Sequence, residues 1–152
     1  MSIDIDQLQE ELGLTIDKND EARSLFFNSF TKHMSFGKFN FDYIDKNYDR
    51  THKGLRDVFD IILTNSRFMV IVEVKNKLNK NDVKTVLKKI KNFRILFPQH
   101  KDSTIYGAVA GLSMTIATIA EAKKHGFYVF THDGANLKIL NDQVTEYTNT
   151  DI

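Results

Sequence analysis

The sequence predicts an α/β fold of the α+β kind: a mixed sheet flanked by helices, antiparallel where it starts and crossed by βαβ units later. Three observations predict it. Residues 59–63 and 68–74 are apolar runs joined by a short turn, Thr64-Asn65-Ser66-Arg67, which reads as a hairpin. Residues 79–97 carry apolar side chains at helical spacing and lead into another apolar run, 104–112, as a crossover does. A second helical stretch, 113–124, leads into a further apolar run, 127–131.

Each element follows in order. Residues 3–13 read as a short acidic helix, so that 1–19 forms an acidic arm. From Asp20 to about His33, Ala22, Leu25, Phe26, Ser29 and Phe30 fall on one helical face, with Asn19 or Asp20 as cap. Gly37 breaks that pattern. Phe39, Phe41 and Tyr43 alternate with polar residues, as in a half-buried strand. Residues 45–54 read as a polar loop before the hairpin. Asn79 or Asn81 caps the long helix, Val83, Val86, Leu87, Ile90, Phe93 and Phe97 form its apolar stripe, and Pro98 stops it. Gly107 and Gly111 in the next strand suggest close packing against a helix. Ser113 caps the following helix and Gly126 sits past its end. Asp133-Gly134 is a hairpin turn, with 137–140 as its return strand.

Composition bounds the function. A chain of 152 residues, 41% of them hydrophobic, suits one domain over 1–152 with a real core, rich in its twelve Phe and lacking Trp. No apolar run approaches the ~20 residues of a membrane span, and residues 1–6 lack the pattern of a signal peptide. The absence of Cys excludes disulfides and thiolate metal sites and fits the cytoplasm. The five His have no zinc-ligand spacing. Net charge is only +1, but residues 1–21 hold seven acids against Lys18, and residues 75–101 hold nine bases against Asp82. The basic segment is either a solvated helix face or a surface for polyanions.

The sharpest signal is charge inside the apolar runs. An unpaired ionised carboxylate costs several kcal/mol or more in such surroundings. Side chains alternate along a strand, so Glu73 and Lys75 share a face. With an even-length loop centred on Ser66 and Arg67, Asp60 stands opposite Glu73; centred on Asn65 and Ser66, the register shifts by two and the shared face is kept, whereas an odd-length loop puts the two on opposite faces. By the same alternation Asp57 falls on the face opposite to Asp60. Directly opposed Cβ atoms lie about 5 Å apart, room for a hard cation with oxygen ligands at about 2.0–2.6 Å.

Asp60 at a strand end, then Glu73-Val74-Lys75 on the next strand, resembles the signature of the PD-(D/E)XK nuclease superfamily. The start of the helix at Asp82-Val83, Phe93, Phe97-Pro98, Tyr106-Gly107, Ala110-Gly111 and Gly126-Phe127-Tyr128-Val129 resemble a bacterial family of uncharacterised small proteins within it, over about residues 20–140. The resemblance implies a restriction-endonuclease-like αβββαβ core. It implies Mg²⁺ or Mn²⁺ held by Asp60, Glu73 and the Val74 carbonyl, with Lys75 acting at the scissile phosphate. Glu21 and His132 are candidates for additional contacts, and Lys77, Lys84, Lys88 and Lys91 for nucleic-acid binding, with DNA ahead of RNA as partner. The function implied is a Mg²⁺-dependent phosphodiesterase cutting DNA or RNA. The alternatives are a catalytically weak or inactive module of the same fold that binds nucleic acid or a protein, and a homodimer built on a sheet edge or on helices.

Overall fold

A computed structural model describes residues 17–36 and 39–141. Of the expected acidic arm over 1–19, residues 1–16 lie outside the described residues, while Asp17 caps the first helix and Lys18 and Asn19 open it. The elements are α1 (Lys18–Lys32), the short pair β1 (Ser35–Phe36) and β2 (Phe39–Asn40), then β3 (Tyr43–His52), β4 (Leu55–Thr64) and β5 (Phe68–Leu78). After them come α2 (Lys80–Leu96), a 3₁₀ turn (Pro98–His100), β6 (Thr104–Met114), α3 (Ile116–Lys124), β7 (Tyr128–Asp133) and β8 (Asn136–Ile139). Strands β3 to β8 form one six-stranded sheet in chain order. The β5–β6 and β6–β7 pairs are parallel, and the other three are antiparallel. This is the mixed sheet that the sequence predicts.

Local chemistry sets the boundaries. The Asn79 side chain accepts from the backbone N–H of Asn81 and Asp82, and the Asp82 carboxylate accepts from Asn79 N–H. Such a reciprocal cap stabilises a helix start by about 1 kcal/mol. Helix α1 starts earlier than expected, on Asp17, whose carboxylate accepts from Asn19 N–H at 2.8 Å. Asn19 is not the cap because its side-chain oxygen accepts from Asn76 N–H on β5 instead. Thr115, rather than Ser113, caps α3. Gly126 follows α3 with φ 73°, where a side chain is disfavoured.

Residues 45–54 are not a loop. Strand β3 pairs with β4 from Tyr43↔Thr64 to His52↔Leu55, closed by Lys53 and Gly54, both at positive φ. Two such residues make the tight turn that matches strand twist. The strand reads as polar because it is the sheet's edge and mostly faces solvent.

Helix α1 covers one face of the sheet, where Ala22, Phe26 and Phe30 pack with Ile61, Val70, Val72, Tyr128 and Phe130. Helices α2 and α3 cover the other, where Val86, Ile90 and Phe93 pack with Ile71, Val109 and Phe127. A Cβ on Gly107 would lie 2.5 Å from the Phe127 ring and 3.0 Å from Val86 Cγ1, so the expected close packing is real. Buried Arg94 donates to the carbonyls of Lys101 at 2.9 Å and Ser103 at 2.7 Å, tying α2 to the loop before β6.

One break in alternation matters for the site. Phe59 packs on the α2 face and Ile61 on the α1 face, though they are two residues apart. On β3, Tyr48 and Ile44 differ in the same way. Both strands turn over where the ladder skips Asn47 and Asp60, and Asn47 has φ 53°. Asn tolerates that left-handed conformation better than most residues.

Candidate functional site

The β4–β5 ladder pairs Ile61↔Val72, Ile62↔Ile71, Leu63↔Val70 and Thr64↔Met69. That is the register in which Asp60 stands opposite Glu73. The backbone ladder stops there, and a side chain takes over: Asp60 Oδ2 accepts from Val74 N–H at 2.9 Å. Beyond that point β5 keeps its pairing with β6, Glu73↔Val109 through Leu78↔Met114.

Both carboxylates are buried, Asp60 7% exposed and Glu73 5%. Each meets a base from a helix. Arg23 of α1 comes within 3.6 Å of Asp60 Oδ1, and it also pairs with Asp20. Lys89 of α2 comes within 3.3 Å of Glu73 Oε2, while Lys75 lies 3.9 Å from Glu73 Oε1. These bases approach from opposite sides of the sheet. The two acids still act on each other. Burial first, and the Asp60 charge second, push the Glu73 carboxyl up from 4.5 to about 7, against the pull of Lys89 and Lys75.

Asp57 corrects the alternation argument. The strand turns over at Asp60, so Asp57 lies on the α2 side. There Asn92 donates to its Oδ2 at 2.9 Å and Lys89 lies 3.8 Å from its Oδ1. Arg23, Lys89 and Asp57 were not singled out by the motif. Lys89 had a signal: it stands three residues after Val86 and four before Phe93, on the buried stripe, where a lysine needs a reason.

Lys75 is 31% exposed on its side chain and lines an open groove of about 380 Å³ with Lys18, Asn19, Asn76, Lys77 and Asn79. The groove lies where α1 and α2 both begin. Lys77, Lys84, Lys88 and Lys91 are all exposed. Glu21 is exposed on α1. His132 is elsewhere: its Nε2 is 3.0 Å from Ser29 Oγ, and its ring packs edge-on against Phe26. Burial lowers its pKa, against a backbone contact at Gly134.

The donor set suits a hard divalent ion. Among the described residues Glu73 Oε2 is buried and has no hydrogen-bond donor, since the Lys89 contact is an ion pair without hydrogen-bond geometry. Among the described residues no three His, Asp or Glu side chains converge into a metal cage. Mg²⁺ does not need one, because it is commonly bound by one or two carboxylates with water completing its shell.

No protein-family model and no curated protein matches this sequence. Solved structures do. A repair endonuclease from Pyrococcus abyssi superposes with TM-score 0.53 at 12% identity, over 78% of this chain and 49% of that one. EndoMS in its apo form gives TM-score 0.48 at 15% identity, over 79% and 48%. A protein of unknown function from Silicibacter pomeroyi gives TM-score 0.48 at 13% identity, over 89% and 77%. This chain spans about half the length of the repair endonuclease. The fold is restriction-endonuclease-like.

Proposed function

We propose that the chain is a Mg²⁺- or Mn²⁺-dependent phosphodiesterase of the nuclease type, acting on DNA or RNA, with DNA the favoured substrate. The observation that carries this reading is the buried Glu73 carboxylate, whose Oε2 has the Lys89 ion pair but no hydrogen bond among the described residues, in the register opposite Asp60 and next to Lys75. Asp60, Glu73 and the Val74 carbonyl would hold the ion. When bound, the ion supplies Lewis acidity at the scissile phosphate.

The chain's own groups do the rest. The Val74 N–H fixes the Asp60 carboxylate, so that its orientation does not depend on ligand. Lys75 lies 3.9 Å from Glu73 Oε1 and lines the open groove, and from there it would orient the attacking water and balance charge gathering on phosphorus. Lys77, Lys84, Lys88 and Lys91 would neutralise flanking phosphates without reading sequence. The likeness to a repair endonuclease supports the fold, and the reaction class is argued from the site.

A second reading has its own support. Arg23 and Lys89 already pair with the two carboxylates, which is what a silent, nucleic-acid-binding module would keep. One experiment separates the readings: calorimetric titration with Mn²⁺ and Mg²⁺, beside cleavage assays on single- and double-stranded DNA and RNA. Micromolar-to-millimolar binding with metal-dependent cleavage supports the enzyme. Nucleic-acid binding with neither metal uptake nor cleavage selects the module.

A further inference from the structure

Lys89 is the least expected charge in the site. It lies on the buried stripe of α2 with its side chain only 13% exposed. Three oxygens surround its ammonium, one by hydrogen bond and two by charge. It donates to the Val58 carbonyl, and lies 3.3 Å from Glu73 Oε2 and 3.8 Å from Asp57 Oδ1. The Phe59 ring, 5.8 Å away at its centroid, covers it. Asp57 is held in place by Asn92 and by the Val58 N–H, so two of the three acceptors stay put whatever Glu73 does.

A divalent ion bonded to Glu73 Oε2 would stand within a few ångströms of the Lys89 nitrogen. Two cations cannot share that buried oxygen without strong repulsion. We propose that the Lys89 ammonium is a built-in counter-cation at Glu73, which an incoming divalent ion displaces toward Asp57 and the Val58 carbonyl. Lys89 thereby sets the metal concentration at which the site fills. Asp57 is the landing place that keeps the displaced ammonium paired, so the exchange does not strand a buried charge. The inference rests on the reading that Glu73 holds a metal. The plain alternative is a fixed ion pair that ties α2 to the sheet.

The test uses Lys89→Met, which keeps the length and removes the charge, and Asp57→Asn, which removes the landing place and keeps the Asn92 contact possible. Mn²⁺ affinity is measured by calorimetry, and melting temperature with and without Mn²⁺, for both variants and the wild type. Lys89→Met should bind Mn²⁺ at least about tenfold more tightly. Its metal-free melting temperature should fall, and Mn²⁺ should raise it by more than in the wild type. Asp57→Asn should bind Mn²⁺ several-fold more weakly. A wild type that binds Mn²⁺ while folded Lys89→Met binds it equally or less well overturns the inference and leaves the metal reading standing. If Lys89→Met does not fold, Asp57→Asn decides: unchanged or tighter binding overturns the inference. A wild type that takes up no divalent ion overturns both.

Discussion

The two ends of the β4–β5 hairpin obey different rules. At the turn end the ladder is closed, and Ile62, Leu63, Met69, Val70, Ile71 and Val72 are buried with no charge among them. At the far end the backbone ladder opens, and Asp57, Asp60, Glu73, Arg23, Lys75 and Lys89 gather where it parts. Asp60 takes the place of a backbone acceptor for Val74. One hairpin therefore serves as both anchor and site. The closed end fixes the register, and the open end uses that register to aim carboxylates.

The predictions test that division, beginning with the largest effect. Glu73→Ala, at the open end, should lower metal-dependent cleavage by about 10³-fold or more and weaken Mn²⁺ binding, measured by single-turnover cleavage and calorimetry. A variant that cuts like the wild type would remove the open end from the chemistry. Ile71→Ala, two residues away, should cost about 2–5 kcal/mol in urea unfolding and leave Mn²⁺ affinity alone. If it alters affinity by tenfold, the ends are not independent.

The pH dependence sharpens the comparison further. The folded chain holds the Glu73 proton up to about pH 7, whereas an exposed carboxyl releases it near 4.5. Metal-free stability should therefore fall as pH rises from about 4.5 to about 7 and level off above. This is a loss on the order of 3 kcal/mol. Glu73→Gln should flatten that slope, melting above the wild type at pH 8 and close to it at pH 4.5. A variant that melts lower at pH 8 would mean that the ion pairs outweigh burial. The smallest effect on folding should come from outside both ends. Reversing Lys84, Lys88 and Lys91 to Glu should leave stability within about 0.5 kcal/mol. It should reduce the salt dependence of duplex binding by about two to three in the log–log slope, one step for each lost phosphate contact.

The hairpin was legible, and its register to within one step of two residues for an even loop, because loop parity and buried charge constrain the same few residues; the pairing Ile61↔Val72 selects the turn centred on Ser66 and Arg67. The start of α2 was legible to within two residues, at Asn79 or Asn81, and its stop at Pro98, because these residues act locally; the reciprocal bond with Asp82 decides for Asn79. What stayed hidden depends on distant partners. Strand β3 looks like a loop until β4 is laid beside it, since an edge strand needs little apolar alternation. The face of Asp57 could not be read by counting, because the turnover at Asn47 and Asp60 breaks the count. Arg23 and Lys89 reach the site from two helices on opposite sides of the sheet, separated from it by tens of residues in the case of Arg23.

Strand β3 is an outer edge of the sheet. Among the described residues, this ten-residue strand has no neighbour on its outer side. A long open edge is a template on which another chain can add a strand, and so a route to aggregates. Here the left-handed Asn47 interrupts the row of hydrogen-bonding groups near its middle, between Asp45-Lys46 and Asp49-Arg50. The residue that turns the strand over to shape the interior thus also makes its outer edge a poor template for fibrils.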